Sequence, residues 1–141
     1  RQACGLPGMR ILQFAFGADA HNPYLPHRHS PDAVVYTGTH DNDTTAGWWG
    51  SVPETLRAHV RDYLGTTDAD APEALNRAAL ASVARTAILP LQDVLGLSGQ
   101  ARMNFPGQES GWWAWRFDWS EVEPRHAERL RHWTALYGRL G

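Results

Sequence analysis

One cysteine, two methionines and no long apolar run are what this 141-residue sequence has least of. Cys4 alone cannot close an intramolecular disulfide, and its solitude fits a reducing compartment such as the cytoplasm. No stretch approaches the ~20 apolar residues of a membrane span, and the first residues carry no signal-peptide pattern. A surplus of one charge is missing too. Thirteen basic against fifteen acidic side chains leave a net −2, so no electrostatic footprint for nucleic acid or an anionic membrane exists. Apolar residues, by contrast, are plentiful: 43% of the chain with seven tryptophans, enough for one domain's core at this length.

Arg1-Gln2-Ala3-Cys4-Gly5 reads as the last turn of a helix closed by glycine, with the rest of that helix expected upstream. Residues 9–16 read as an apolar strand, Ile11, Gln13 and Ala15 on one face, Leu12, Phe14 and Phe16 on the other. Gln13 within it is expected to be a core amide with its hydrogen bonds made. Residues 17–32 form a Pro- and His-rich loop too long for a bare connector, and Tyr24 and Leu25 predict that it packs. A second apolar strand starts at Ala33-Val34-Val35-Tyr36.

Three helices are then signalled by capping-box patterns at Ser51–Glu54, Asp70–Glu73 and Ser120–Glu123, each with a proline nearby. The first presents Leu56, Val60, Tyr63 and Leu64 and stops near Gly65. The second, from about Pro72, turns Leu75, Ala78, Ala79, Ser82 and Val83 inward. The third shows a core stripe of Val122, Leu130, Trp133, Tyr137 and Leu140. Between the last two, residues 86–90 read as a short strand and 91–97 as a brief amphipathic turn, followed by a loop over 98–111. Apolar strands alternating with helices imply an α/β chain with a parallel sheet. Three such strands cannot bury both faces, so the sheet is expected to be part of a larger α/β structure.

The centre of the chain is the stretch after Tyr36. A buried strand that delivers Thr39-His40-Asp41-Asn42-Asp43-Thr44-Thr45 at its C-terminal end is where α/β folds place their chemistry. Several readings fit these residues. Asp41 or Asp43 could simply cap the following helix. His27, His29, His40, Asp41 and Asp43 could serve a metal hydrolase, although paired histidines two apart are a weak zinc signal. Asp41-Asn42-Asp43 also starts like a calcium loop, but Ala46 stands where the glycine belongs and no glutamate closes it. Seven tryptophans could instead make a carbohydrate-binding module, which requires them on an exposed flat face.

Four stretches, in this order, resemble the amylomaltases (4-α-glucanotransferases of glycoside hydrolase family 77): Gly5-Leu6-Pro7-Gly8-Met9-Arg10-Ile11-Leu12-Gln13-Phe14-Ala15-Phe16, Asn22-Pro23-Tyr24-Leu25-Pro26-His27, Gly38-Thr39-His40-Asp41-Asn42-Asp43-Thr44-Thr45-Ala46-Gly47-Trp48-Trp49, and Ala101-Arg102-Met103-Asn104. The resemblance covers nearly the whole chain and is weakest over 51–85. It implies that residues 1–141 are one segment, about strands six to eight with their helices, of a catalytic (β/α)8 TIM barrel. It implies that the nucleophilic Asp and acid/base Glu follow the fourth and fifth strands, upstream of Arg1. Asp41 then matches the third catalytic carboxylate, which holds the 2- and 3-hydroxyls of the reacting sugar. His40, Phe14 and Asn104 match substrate-binding positions. The implied partners are maltooligosaccharides and α-1,4-glucans, with no metal and no cofactor. The resemblance also makes Trp48 and Trp49 packing residues behind the strand. Where the family commonly has Gly-Asn-Trp-x-Trp-Arg, this chain has Gly111-Trp112-Trp113-Ala114-Trp115-Arg116; it lacks the Asn and keeps an arginine expected to hold the loop. A fragment of this kind is expected to be inactive alone and to self-associate through its open sheet edges.

Overall fold

The computed structural model describes residues 5–141. The proposed helix end at residues 1–4 lies outside the described residues; Gly5 itself has φ +64°, the left-handed conformation a closing glycine supplies. Three strands, β1 (Gly8–Ile11), β2 (Ala33–Tyr36) and β3 (Thr86–Ile88), form one parallel sheet in the order β1-β2-β3. The register pairs Met9 with Val34 and Ile11 with Tyr36, then Val34 with Thr86 and Tyr36 with Ile88. Because side chains alternate along a strand, these residues share one face, and Arg10, Ala33, Val35 and Ala87 the other.

The second face is covered. Helices α1 (Thr45–Ser51), α2 (Glu54–Leu64) and α3 (Ala71–Ala81) bring Trp49, Val60, Leu75 and Ala79 into one core with Val35 and Ala33. The first face is open: Met9 is 49% and Ile88 44% exposed. A parallel sheet is normally covered on both faces, so the expectation of a partial structure agrees with the fold. The packed-loop expectation also holds, since Leu25 is buried. Helix α2 ends at Gly65 with φ +62°, and Val60 faces the core as its periodicity predicts.

Several expectations are corrected. The first strand stops at Ile11 rather than Phe16, and Leu12–Phe14 turns as a 3-10 helix. The cause is local pairing: Gln13 N–H bonds to Thr37 O at 3.2 Å, and the Asn22 amide takes the carbonyls of Phe14 and Ala15 at 2.9 and 2.8 Å. Leu12 and Ala15 are consequently both buried, although strand alternation would part them. Gln13 is a satisfied core amide as expected, its Nε2 donating to Asp43 O at 2.9 Å.

The capping boxes shift as well. Ser51 closes α1, a seven-residue helix that the Gly- and Trp-rich sequence did not announce, and Pro53 occupies the cap of α2. Asp70 caps α3 without a side-chain bond to the helix, because its carboxylate accepts from Thr67 Oγ1 at 2.7 Å. Glu123, not Ser120, caps α5 (Pro124–Leu136), paired reciprocally with His126; Asp118 and Glu121 form their own box one turn earlier. Val83 lies beyond α3 and is exposed, and Val122 and Leu140 flank α5 rather than belonging to it. Of the expected stripe, Trp133 is buried, with Arg129 over its ring at 5.6 Å. After α5, Arg139 donates to the carbonyls of Leu80, Ser82 and Ala84 at 2.6, 2.6 and 2.8 Å, satisfying groups that the end of α3 leaves free. Strand β3 is shorter than expected, and Pro90 instead caps a one-turn helix, α4 (Leu91–Val94).

Candidate functional site

β2 feeds Thr37 and then the polar loop 38–44, which ends where Thr44 caps α1 by accepting from Gly47 N–H at 3.1 Å. The cap is therefore neither Asp41 nor Asp43. Asn42 braces the loop from within: its Oδ1 accepts from Thr39 N and Thr39 Oγ1, both at 2.9 Å. Asp43 turns its carboxylate inward, accepting from Thr44 N–H at 2.7 Å and lying against the α-carbons of Gly47 and Gly99.

Asp41 behaves differently. Its side chain is half exposed, and its partner comes from far along the chain: Asn104 Nδ2 donates to Asp41 Oδ1 at 2.7 Å. Arg102 adds a bond from Nη2 to Asp41 O at 2.7 Å and from Nε to Asn104 O at 2.6 Å. Asn104 N–H in turn donates to His40 O at 3.1 Å. His40 Nε2 stands 3.4 Å from Asp41 Oδ1, and its ring meets that of Trp113 at 5.1 Å between centroids. Trp113 is held there by its N–H on Met103 O at 2.7 Å and by a left-handed backbone, φ +63°, uncommon for so large a residue. A cleft of about 350 Å³ opens beside this cluster, running from His40, Asp43 and Arg102 onto the open sheet face at Tyr36 and Ile88. A half-exposed carboxylate oriented by an amide, beside an imidazole, can accept hydrogen bonds from a polyhydroxylated ligand and stabilise positive charge developing on it.

The family model described as 4-alpha-glucanotransferase (glycoside hydrolase family 77) matches residues 1–121. The chain belongs to the 4-alpha-glucanotransferase family. It is 48% identical over 147 positions to the 4-alpha-glucanotransferase, chloroplastic/amyloplastic, of Solanum tuberosum, covering 99% of this chain and 25% of that protein. It is 48% identical over 148 positions to the 4-alpha-glucanotransferase of Thermus thermophilus, covering 99% of this chain and 30% of that one. Among solved structures, the amylomaltase from Streptococcus agalactiae in complex with acarbose superposes with a TM-score of 0.94 at 28% identity, over 99% of this chain and 29% of that one. The chain thus spans a quarter to under a third of the length of these 4-alpha-glucanotransferases.

Of the residues singled out in the sequence, His40, Asp41 and Asn104 come together. Phe14 makes its ring contact elsewhere: the residue is 49% exposed and meets Tyr24 edge-on at 5.7 Å. The metal reading fails on geometry. His27 is engaged by Tyr63 OH and Ala20 O, His29 by Ser82 Oγ and Tyr24 O, so these rings serve the packed loop. No group of three or more His, Cys, Asp or Glu able to hold a metal occurs among the described residues. Trp49 is buried and Trp48 packs on the core, as packing residues. Arg116 donates only locally, to Trp115 O at 2.8 Å, which does not support the loop-holding role expected of it.

Sequence reasoning missed Asp93, read as part of an amphipathic turn. It is 6% exposed, and its carboxylate accepts from Thr37 Oγ1 at 2.5 Å, Thr45 N–H at 2.7 Å and Thr45 Oγ1 at 2.7 Å. Burial pushes this carboxyl above the usual carboxylate range, while the three donors pull it back. Arg102 was also missed as a site residue, although it lies in one of the matching stretches. An acidic residue behind Pro90 in a four-residue helix carries no sequence signal of burial.

Proposed function

We propose that this chain supplies strands six to eight of the (β/α)8 barrel of a 4-α-glucanotransferase, which moves α-1,4-glucan segments to a sugar 4-hydroxyl by retaining double displacement. The observation that carries the reading is the Asp41 carboxylate, oriented by Asn104 at 2.7 Å and braced through its backbone by Arg102, at the C-terminal end of a parallel strand. Retaining transfer uses a nucleophile and an acid/base about 5 Å apart and passes through an oxocarbenium-like state. By the resemblance those two groups follow strands four and five. Asp41, with His40 beside it, accepts hydrogen bonds from the 2- and 3-hydroxyls of the sugar in the cleaved subsite. These bonds strengthen as the ring flattens, so they lower the barrier more than they tighten binding. By the resemblance Phe14 and Asn104 also stand near the sugar.

The acarbose complex of the S. agalactiae amylomaltase supports maltooligosaccharides and α-1,4-glucans as partners. The carbohydrate-binding-module reading is less well supported: Trp49 and Trp133 are buried, and the exposed pair Phe117–Trp119 meets at 81°, which gives no flat platform. The single cysteine supports a cytoplasmic site, whereas the plant relatives carry chloroplastic/amyloplastic in their names. The isolated chain is expected to lack transferase activity and to self-associate, since its open sheet face exposes Met9 and Ile88.

The test is Asp41→Asn in the complete enzyme, assayed by glucose release from maltotriose. Turnover should fall by about 10²-fold or more with KM little changed and the fold intact. Near-normal kcat would reduce Asp41 to a loop residue. Glucose release by the 141-residue chain alone, above a heat-killed control, would refute the division of the catalytic groups.

A further inference from the structure

The loop 38–44, which carries His40 and Asp41, leaves the sheet at Thr37 and enters α1 at Thr45. Both threonines are fully buried, and both converge on one group outside the loop, the carboxylate of Asp93. Oδ2 accepts from the two hydroxyls and Oδ1 from the Thr45 backbone N–H. Asp93 is itself seated: its carbonyl accepts from Asn76 Nδ2 of α3 at 2.9 Å. The clamp therefore ties the end of β2, the start of α1 and the body of α3 to one point. Gln13 adds a second hold from β1's turn, on Thr37 O and Asp43 O.

A buried carboxylate is a poor choice if stability alone is served. Taking a carboxylate out of water is costly unless its oxygens are hydrogen-bonded, whereas an apolar side chain carries no such cost. What the carboxylate does, and an apolar group cannot, is draw three donors from both ends of a loop onto two fixed oxygens. We propose that Asp93 is a positioning residue: by fixing both ends of the 38–44 loop it sets where the Asp41 carboxylate meets the sugar ring. This rests on the glucanotransferase reading above. Asp93 borders the floor of the cleft but is only 6% exposed, and both its carboxylate oxygens are engaged by Thr37 and Thr45, through which it acts.

The test uses Asp93→Asn and, as a milder change, Thr37→Val, both in the complete enzyme. An Asn side chain presents N–H where one carboxylate oxygen stood, so the converging donors cannot all be accepted. Thr37→Val keeps shape and removes one donor. Since displacements near 1 Å can cost about 10²-fold, Asp93→Asn should lower kcat by about ten- to a hundredfold and Thr37→Val by about threefold, with KM within about twofold in both. The double variant should lose little more than Asp93→Asn alone, because both act through one clamp. Hydrogen exchange by mass spectrometry should show faster exchange over 38–44, with α2 and α3 unchanged.

A purely structural role predicts a lower melting temperature but an unchanged kcat per folded molecule. Folded Asp93→Asn enzyme with kcat within twofold of the parent overturns the inference. So does unchanged exchange over 38–44. If the unsubstituted enzyme transfers no glucan, the functional reading falls instead, and the exchange measurement still decides whether Asp93 clamps the loop.

Discussion

Substituting Gly47 by alanine tests how tightly the loop is wedged. Gly47 is the third residue of α1, and a Cβ there would meet the Asp43 carboxylate, with Cγ and Oδ2 at 2.7 Å. Rotating Asp43 away offers no relief, because its other side lies against Gly99, where a Cβ would stand 2.9 and 3.1 Å from the two oxygens. Two effects compete. Alanine in a helix gains about 1 kcal/mol over glycine. Overpacking costs about 1–3 kcal/mol, and a displaced Asp43 also forfeits its bond from Thr44 N–H, about 1 kcal/mol. The steric terms win, so Gly47→Ala should destabilise by roughly 1–2 kcal/mol. With Asp43→Ala in place the obstacle is gone, and the same substitution should stabilise by up to about 1 kcal/mol. Urea unfolding of the four proteins of this double-mutant cycle gives both values, with a coupling of about 2–3 kcal/mol expected. A stabilising Gly47→Ala in the parent background, or the same sign in both backgrounds, would refute the wedge.

Stability should depend on pH through His29. Burial holds its pKa below the ordinary value, with Nε2 on Tyr24 O at 2.8 Å and Nδ1 on Ser82 Oγ at 2.7 Å. The unfolded chain, at about 6.5, then takes up the proton first as pH falls. The contribution is present above that value and lost as pH drops below it. His29→Gln should flatten the fall in melting temperature over this window, and an unchanged slope would exclude His29 as its source. Light scattering of the 141-residue chain should report dimers or larger species. A monodisperse monomer with a cooperative thermal transition would show that the open face of β1, β2 and β3 tolerates water.

Local chemistry determined much of this protein by itself. The apolar run Ala33–Tyr36 is the strand its sequence predicts, part of the 86–90 run is a strand as well, and Gly65 ends a helix in a left-handed turn. Four ordered stretches carried the family, and two of them hold Asp41, His40 and Asn104, which the fold brings together. Packing decided what a string cannot show. Helix α1 forms from a threonine, an alanine, two glycines, two tryptophans and a serine because Trp49 is buried and Asp93 holds its first turn, so tertiary contacts overrode weak propensity. The first strand stops at Ile11 because Thr37 and Asn22 claim the next backbone groups. Asp93 looked like any acid of a short amphipathic turn. Only the fold brings it from 56 and 48 residues away onto Thr37 and Thr45, where burial and converging donors turn a common residue into the anchor of the loop.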